Sequence, residues 1–287
     1  MVYQNGVKYD EELYANLRVD CQNCFGFCCV ALYFSASEGF PTDKDAGKPC
    51  INLQSDYKCA IHKNLRQKGL KGCTAYDCFG AGQKVAQVTY GGHDWKSNLK
   101  TANQMFDVFL IMRQLNEMLW YLTEALRMQS DSISQEELNC MISDTLRLTN
   151  LDPDSIIELD LAAHRNNVNA LLLKTSELAR SKARRGQNTA IKRKKTIAGR
   201  LNFIGADLRK INLIGEDLRG AFLIAADLRL VDLSSTDLIG ADLRDADIRG
   251  ANLTNSLFIT QTQINAAKGD SNTRLPISLV RPLYWDK

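Results

Sequence analysis

The sequence predicts an α+β multidomain chain with a cysteine-rich metal-binding module, a small α-helical bundle and a C-terminal solenoid of square cross-section. Three observations predict it. Eight of the nine cysteines lie between Cys21 and Cys78, apolar residues recur at three and four between Thr101 and Leu178, and a large apolar residue returns every fifth position from Phe203 to Phe258. The expected segments are 1–98 for the cysteine module, 99–181 for the helices, 182–200 for a basic linker, 201–260 for the repeat and 261–287 for a cap.

At 287 residues and a net charge of +3, the chain has room for two or three small domains and is too near neutral to call for a nucleic-acid partner. Residues 1–20 carry no apolar core or cleavage site, so no secretory signal is read there. The most hydrophobic stretch, 105–126, is broken by Asp107, Arg113, Glu117 and Glu124 and is unfit to span a membrane. The expected compartment is the cytoplasm, and crowded cysteines in a chain without an export signal point to metal rather than disulfides.

The module opens with Cys21-x2-Cys24-x3-Cys28-Cys29, where Gly26 lets the loop curl. Cys50, the pair Cys59-x2-His62, and Cys73-x4-Cys78 follow. Thiolates bind zinc tetrahedrally or hold an iron–sulfur cluster, and four suffice for either. Eight exceed that need, so either two centres exist or some cysteines are supporting or core residues. Neighbouring side chains diverge, which argues against Cys28 and Cys29 sharing one ion. His62 is a further candidate ligand, and Tyr76 and Asp77 stand where they could tune a centre. A segment so rich in Gly, Lys and Asp buries little apolar surface, so bound metal is expected to supply folding energy. A redox or catalytic cluster is the alternative, with disulfides or free thiols behind it.

This cysteine order resembles the CxxCxxxCC zinc- or iron-chelating family, and flagellin lysine N-methylases carry a similar motif with an iron–sulfur cluster. The resemblance covers roughly residues 18–85. It implies a bound metal at Cys21, Cys24, Cys28, Cys29, Cys50, Cys59, Cys73 and Cys78, and does not by itself imply methyl transfer.

In the helical middle, Val108, Ile111, Met112, Leu115, Met118, Leu119, Leu122 and Leu126 form one stripe of a helix over 101–128. Phe106, Phe109, Leu110 and Trp120 fall outside it, so that helix is expected to pack on two sides. Ser134 opens a shorter helix to about Leu148, on which Cys140 is expected to be a buried small hydrophobe. Asp152-Pro153 caps a third, with Ile157, Leu161, His164, Val168, Leu171, Thr175 and Leu178 on one face. His164 reads as a hydrogen-bonded core histidine, and His93, in a Gly-rich turn, as a surface one. The linker, with Lys182, Arg184, Arg185, Lys192, Arg193, Lys194, Lys195 and Arg200, lacks interleaved aromatics and reads as a solvated tether.

In the repeat, Phe203, Leu208, Leu213 and every fifth residue to Phe258 are large and apolar, while Ala206, Ala221, Ala226, Ala241, Ala246, Ala251 and Ser256 stand two positions earlier. A period of five fits neither a helix nor a strand, and repetition decides architecture before local propensity does. Each pentad makes one side of a square, its small and large residues pointing in, with glycines such as Gly205 and Gly215 at the corners. Four sides make a coil of twenty residues. The twelve pentads then give three coils, a shaft roughly 14 Å tall at about 4.8 Å per coil. Leu201, Ile211, Glu216, Val231 and Thr236 depart from the small inward residue, and Phe222 and Leu257 from the Asp/Asn beside it, marking widenings or contact sites.

The pattern resembles the pentapeptide-repeat family and so implies a right-handed quadrilateral β-helix. Stacking at twenty residues aligns Arg209, Arg229 and Arg249 beside a row of Asp207, Asp227 and Asp247. They form a solvated salt-bridge lattice or a charged docking face for a partner. Family members that protect DNA gyrase are strongly acidic; the alternating Asp and Arg here disfavour DNA mimicry. A short helix at 261–268, stopped by Gly269-Asp270, and Trp285 are expected to cap one end of the shaft. The third helix or the linker would cap the other, and a homodimer through the C-terminal end is a further possibility.

These readings combine into a metal-binding adaptor, carrying zinc or an iron–sulfur cluster, whose repeat presents a rigid face to a protein partner. The alternatives are an iron–sulfur enzyme acting on a protein and a gyrase-interacting repeat protein.

Overall fold

The computed structural model describes residues 2–4, 7–9, 11–97, 99–129, 131–185 and 196–285. It divides into two compact units, Met1–Leu171 and Leu172–Lys287. No helix among the described residues is long and apolar enough to cross a membrane. Lys192, Arg193, Lys194 and Lys195 of the expected linker lie outside the described residues.

In the first unit, strands β1 (Val2–Gln4) and β2 (Val7–Tyr9) pair antiparallel and precede helix α1 (Glu11–Asn16). Helices α2 (Phe27–Val30), α3 (Lys71–Ala75) and α4 (Ala81–Gln83) are short pieces within the cysteine region. Helix α5 (Leu99–Met128) is the axis of the core. Val108, Met112, Leu115, Leu119 and Leu122 of its stripe are buried, and so are Phe106, Phe109 and Trp120 on its other flank, as two-sided packing requires. Near its end, buried Glu124 accepts a hydrogen bond from the Tyr14 hydroxyl and pairs with Arg127 at 3.1 Å. A carboxylate tolerates burial only with such partners.

Helix α6 (Ser132–Leu148) is capped by Asp131, whose Oδ1 accepts from the Ser134 amide at 2.8 Å. Its buried positions are Ser134, Leu138, Ile142 and Thr145. Cys140, two residues out of phase with that stripe, is exposed and not the buried hydrophobe expected. The expected third helix is two. Asp152 caps α7 (Pro153–Ile157), and the chain breaks before α8 (Leu161–Arg184), where Asp160 Oδ1 accepts from the Ala163 amide at 2.9 Å. The break shifts the helical phase, so Ile157 and Leu178 are exposed, while Ile156, Val168, Leu172, Thr175 and Ser176 are buried. Thr145 Oγ1 donates to Met141 O and is 2.9 Å from His164 Nε2. With the threonine's one proton engaged, the imidazole is the donor.

The second unit is a coil of twenty-residue turns. Parallel bridges join Asn202 to Phe222, Phe222 to Asp242, Asp207 to Asp227, Asp227 to Asp247, Asp217 to Asp237 and Asp237 to Leu257. The small-and-large shaft is as expected: Leu213, Leu218, Leu223, Leu228, Leu233, Leu238, Leu253, Ala221, Ala226, Ala246 and Ala251 are fully buried. Corner residues adopt left-handed backbone, which favours glycine, as at Gly205 and Gly240, though Ala225, Leu230, Ser235 and Asp245 adopt it too. Inward hydroxyls bind the neighbouring coil: Thr236 Oγ1 donates to Leu213 O at 2.6 Å and Ser256 Oγ to Leu233 O at 3.0 Å.

The shaft runs past the three coils expected, because Asp247 also bridges to Lys268 and Asn252 to Arg274, with offsets of 21 and 22. Helix α9 (Gln261–Ala266) makes this end. Gln263 Nε2 donates to Leu238 O and Ala241 O, satisfying carbonyls of the last coil, and Trp285 covers Gly269, where a Cβ would collide with the indole. The C-terminal part of α8 does not close the opposite end as expected; it lies along one side. Ser176 Oγ donates to Asp237 Oδ2 at 2.5 Å, and Arg180 reaches Asp217 at 3.6 Å, one coil below. A helix rises about 6 Å over four residues, close to the coil spacing, so Ser176 and Arg180, four residues apart, meet successive coils. At the first coil Phe203 and Ala206 stay half-buried. Strands β3 (Thr196–Ile197) and β4 (Arg200–Leu201) pair there. Arg200 lies 3.9 Å from the Phe222 ring centroid and donates to the Gly220 and Gly240 carbonyls, which gives the Phe222 departure its contact role.

Candidate functional site

Alternation on α2 creates the site. Phe27 and Val30 are buried, Phe27 stacking on Phe109 at 5.3 Å, and this turns Cys28 and Cys29 away from the core. Just before α2, Gly26 has left-handed backbone, and a Cβ there would lie 2.7 Å from Leu53 Cδ1 and 2.8 Å from Tyr57 O. Only glycine lets the following loop lie so close. That loop is tied by hydrogen bonds from the Cys50 amide to Cys29 O at 2.8 Å and from the Leu53 amide to Cys50 O at 3.0 Å, and Leu53 bridges to Cys59. Cys73 sits on α3, anchored by the Gly72 amide to Gly39 O at 2.9 Å. Past it, the Phe79 amide donates to Asp77 Oδ1 at 2.7 Å, shaping the turn that carries Cys78 into α4.

The result is one cavity of about 440 Å³ lined by Cys21, Cys24, Cys28, Cys29, Cys50, Cys59, Cys73 and Cys78, with His62 and Tyr76 on its wall. Every predicted cysteine of the cluster reaches it, from segments up to 57 residues apart in the chain. Asp77 is not on the wall, His93 is exposed, and His164 is on α8 against α6. All nine cysteines are free thiols. As the side chains stand, no three of the His, Cys, Asp or Glu groups among the described residues converge closely enough to hold a metal ion. The thiols share a chamber without sharing a point.

Crowding and burial decide their protonation. Burial pushes Cys24 and Cys73 up to about 12 and Cys78 up to about 11. The Cys28 thiol donates to Cys29, raising the former and lowering the latter. Lys44, which sequence reasoning passed over, adds positive charge beside Cys29; its Nζ donates to Val30 O at 3.2 Å and to Leu32 O, under the Phe34 ring. Burial lowers the lysine in turn. The thiols raised by burial, those of Cys24, Cys73 and Cys78, stay protonated in water at neutral pH unless a cation displaces the protons.

Two local features of the chamber wall complete its description. The Tyr76 hydroxyl is buried without a hydrogen-bond partner, a costly arrangement unless a ligand completes it. A Cβ at Gly82 would lie 2.5 Å from Cys24 Sγ and 4.0 Å from Cys78 Sγ, so a bare backbone leaves room for those sulfurs.

On the repeat, Arg209, Arg229 and Arg249 do form a row, each forked onto the Asp two residues earlier at 2.6–2.9 Å. Arg209 also reaches Asp227 at 3.2 Å and Arg229 reaches Asp247 at 3.7 Å. The row is a self-paired ladder, and a partner would meet alternating charges rather than free cations.

The pentapeptide-repeat family model matches residues 202–238 and 217–255. A pentapeptide repeat protein (Rfr23) from the cyanobacterium Cyanothece 51142 is a structural match, 31% identical over 26% of this chain and 56% of that one, with a TM-score of 0.20. The Bacillus subtilis (strain 168) protein titled "Uncharacterized protein YybG" is 58% identical over 279 residues, 97% of this chain and 98% of its own. With that identity along nearly the whole length of both, the chain belongs to the family of YybG, and its C-terminal region is made of pentapeptide repeats.

Proposed function

We propose that the protein is a metal-binding scaffold: the cysteine chamber holds zinc or an iron–sulfur cluster, and the repeat offers a stiff face to a protein partner. The observation that carries this reading is that eight thiols from five separate segments line one cavity. Thiolate donors suit zinc and iron–sulfur centres and do not suit calcium or magnesium. The side-chain positions do not close a coordination sphere; a cysteine needs one bond rotation to swing its sulfur, and a cation supplies the attraction that protonated thiols lack. The bare Gly82 beside Cys24 and the unpartnered Tyr76 hydroxyl fit a chamber completed by a bound group. The repeat's rigid backbone and outward Asp–Arg ladder give a partner a periodic polar surface.

A second reading, an iron–sulfur enzyme acting on a protein, draws on the same Tyr76 hydroxyl, which could meet a substrate as readily as a metal-bound group. Anaerobic purification with metal and sulfide analysis tests both. Colourless stoichiometric zinc removes the redox enzyme. A brown chain bleached by dithionite removes structural zinc, and a chain that takes up no metal removes both.

A further inference from the structure

We infer that the outer wall of the chamber, residues 51–71, is a docking surface for an acidic segment of a partner protein. The inference goes beyond the metal-binding reading, because it needs neither a filled chamber nor the repeat.

Charge and exposure carry it together. Between Tyr57 and Tyr76 the chain holds Lys58, Lys63, Arg66, Lys68 and Lys71, with His62, and no carboxylate. All of these basic residues are exposed. The carboxylates that bound the segment are taken up in their own turns: Asp56 Oδ1 accepts from the Lys58 amide at 3.1 Å, and Asp77 Oδ1 from the Phe79 amide at 2.7 Å. Among the described residues, the ammonium groups of Lys58, Lys63 and Lys68 pair with no carboxylate. The ladder on the repeat is the opposite case, since Arg209, Arg229 and Arg249 are each forked onto an aspartate. This wall, unlike the ladder, has cations to give a partner.

The fold concentrates them. The Lys68 amide donates to Asn64 O at 3.0 Å and the Leu70 amide to Leu65 O at 2.9 Å, so the segment closes into tight turns. Lys58 and Lys63 line the chamber together with Ile61 and Leu65. The Ala60 amide bond to Asn52 O at 2.9 Å brings Ile51 alongside, and Ile51 is 76% exposed. A large apolar residue so bare, set beside unpaired cations, has the anatomy of a protein interface: an apolar centre with a charged rim. A nucleic acid fits less well. Of Phe, Tyr and Trp the wall holds only Tyr57, which is half-buried and offers no open ring for a base to stack on.

A short labelled peptide of Glu and Asp with one central Leu is the probe, titrated with the full chain and followed by fluorescence anisotropy. Binding is expected, weakening as salt is raised. Lys63→Glu combined with Lys68→Glu should weaken it by about tenfold or more. Ile51→Ala, or Ser in place of the peptide's Leu, should each weaken it several-fold. Lys210→Glu combined with Lys268→Glu makes the same change in net charge on the repeat and should leave binding unchanged; circular dichroism checks that each variant is folded. No binding, unchanged binding in the Lys63 and Lys68 pair, or equal loss in the control pair overturns the inference. So does tighter binding of a single-stranded oligonucleotide of equal charge, which would give the wall to nucleic acid. A salt-sensitive dimer of the chain alone, lost in the Lys63 and Lys68 pair, would give it to a second copy and overturn it likewise. If the paired variant does not fold, the two peptides on the wild-type chain still decide. None of these outcomes reads metal content, so the metal-binding reading stands or falls separately.

Discussion

The repeat and the cysteine region solve the same problem, holding a chain that has little regular secondary structure, by opposite means. In the repeat each residue's surroundings follow from its index modulo twenty: Asp207, Asp227 and Asp247 bridge in line, and hydroxyls at Thr236 and Ser256 do the same work one coil apart. In residues 21–80 nothing is periodic. Long loops meet because Gly26 admits Leu53 and Tyr57, and because Phe27 anchors α2 on Phe109. Periodic contacts spread stability evenly over neighbours, whereas convergent loops depend on whatever fills the place where they meet.

The contrast is sharpest under metal removal. If the chamber is filled by metal, chelation should withdraw on the order of 10 kcal/mol of folding free energy from the cysteine region. Hydrogen exchange of the full chain should then show amides of 21–80 losing protection while those of 206–258 keep theirs. Equal loss in both regions, or in neither, breaks the comparison.

Next in size is Leu228→Ala, which empties a fully buried shaft position and should destabilise the repeat by about 2–5 kcal/mol. Its signature in denaturant is a shifted repeat transition with the transition of the cysteine region unchanged; a shift below about 1 kcal/mol would mean that the coil collapses around the gap and is not close-packed.

Ser176→Ala tests the side-on helix. It removes the donor to Asp237, a carboxyl buried against α8 and raised by that burial, and about 1–3 kcal/mol should be lost. Ser176→Ala combined with Asp237→Asn should be milder than the sum of the two; additivity would show that the contact carries no coupling.

The smallest effect is expected on the outward ladder. Hydrogen bonds from Arg209, Arg229 and Arg249 hold Asp207, Asp227 and Asp247 below their ordinary 3.8, Asp227 at about 2. A depressed carboxylate contributes stability present above its unfolded value and lost as pH falls through the folded one. The melting midpoint of the repeat should therefore drop modestly from pH 4 to pH 2. Arg229→Gln should flatten that drop while leaving the midpoint at pH 7 nearly unchanged. A large loss at pH 7 would mark the ladder as structural rather than solvated.

Much of the molecule was legible in the residues. The five-residue period, its twenty-residue stacking and the inward and outward positions could be read directly, because in a solenoid every contact is between near neighbours in index. Helix α5 was legible for the same local reason, and so was the cap Asp152. The phase of α8 was not. A three-residue interruption at 158–160 turned the expected stripe, and Leu178 lies exposed where Leu172 and Ser176 are buried. Cys140 was misplaced because its burial hangs on which face of α6 meets α5.

What the sequence determined by itself is the square coil, the axis helix and the identity of the eight thiols, since each is written in spacing or count. Only the tertiary structure decided that those thiols share one chamber, that Lys44 and the bare hydroxyl of Tyr76 stand beside them, and that the end of α8 runs along the coil instead of closing it. The physical reason is range. Spacing specifies contacts a few residues or one coil apart, but the meeting of Cys21 with Cys78 depends on the packing of every loop between them.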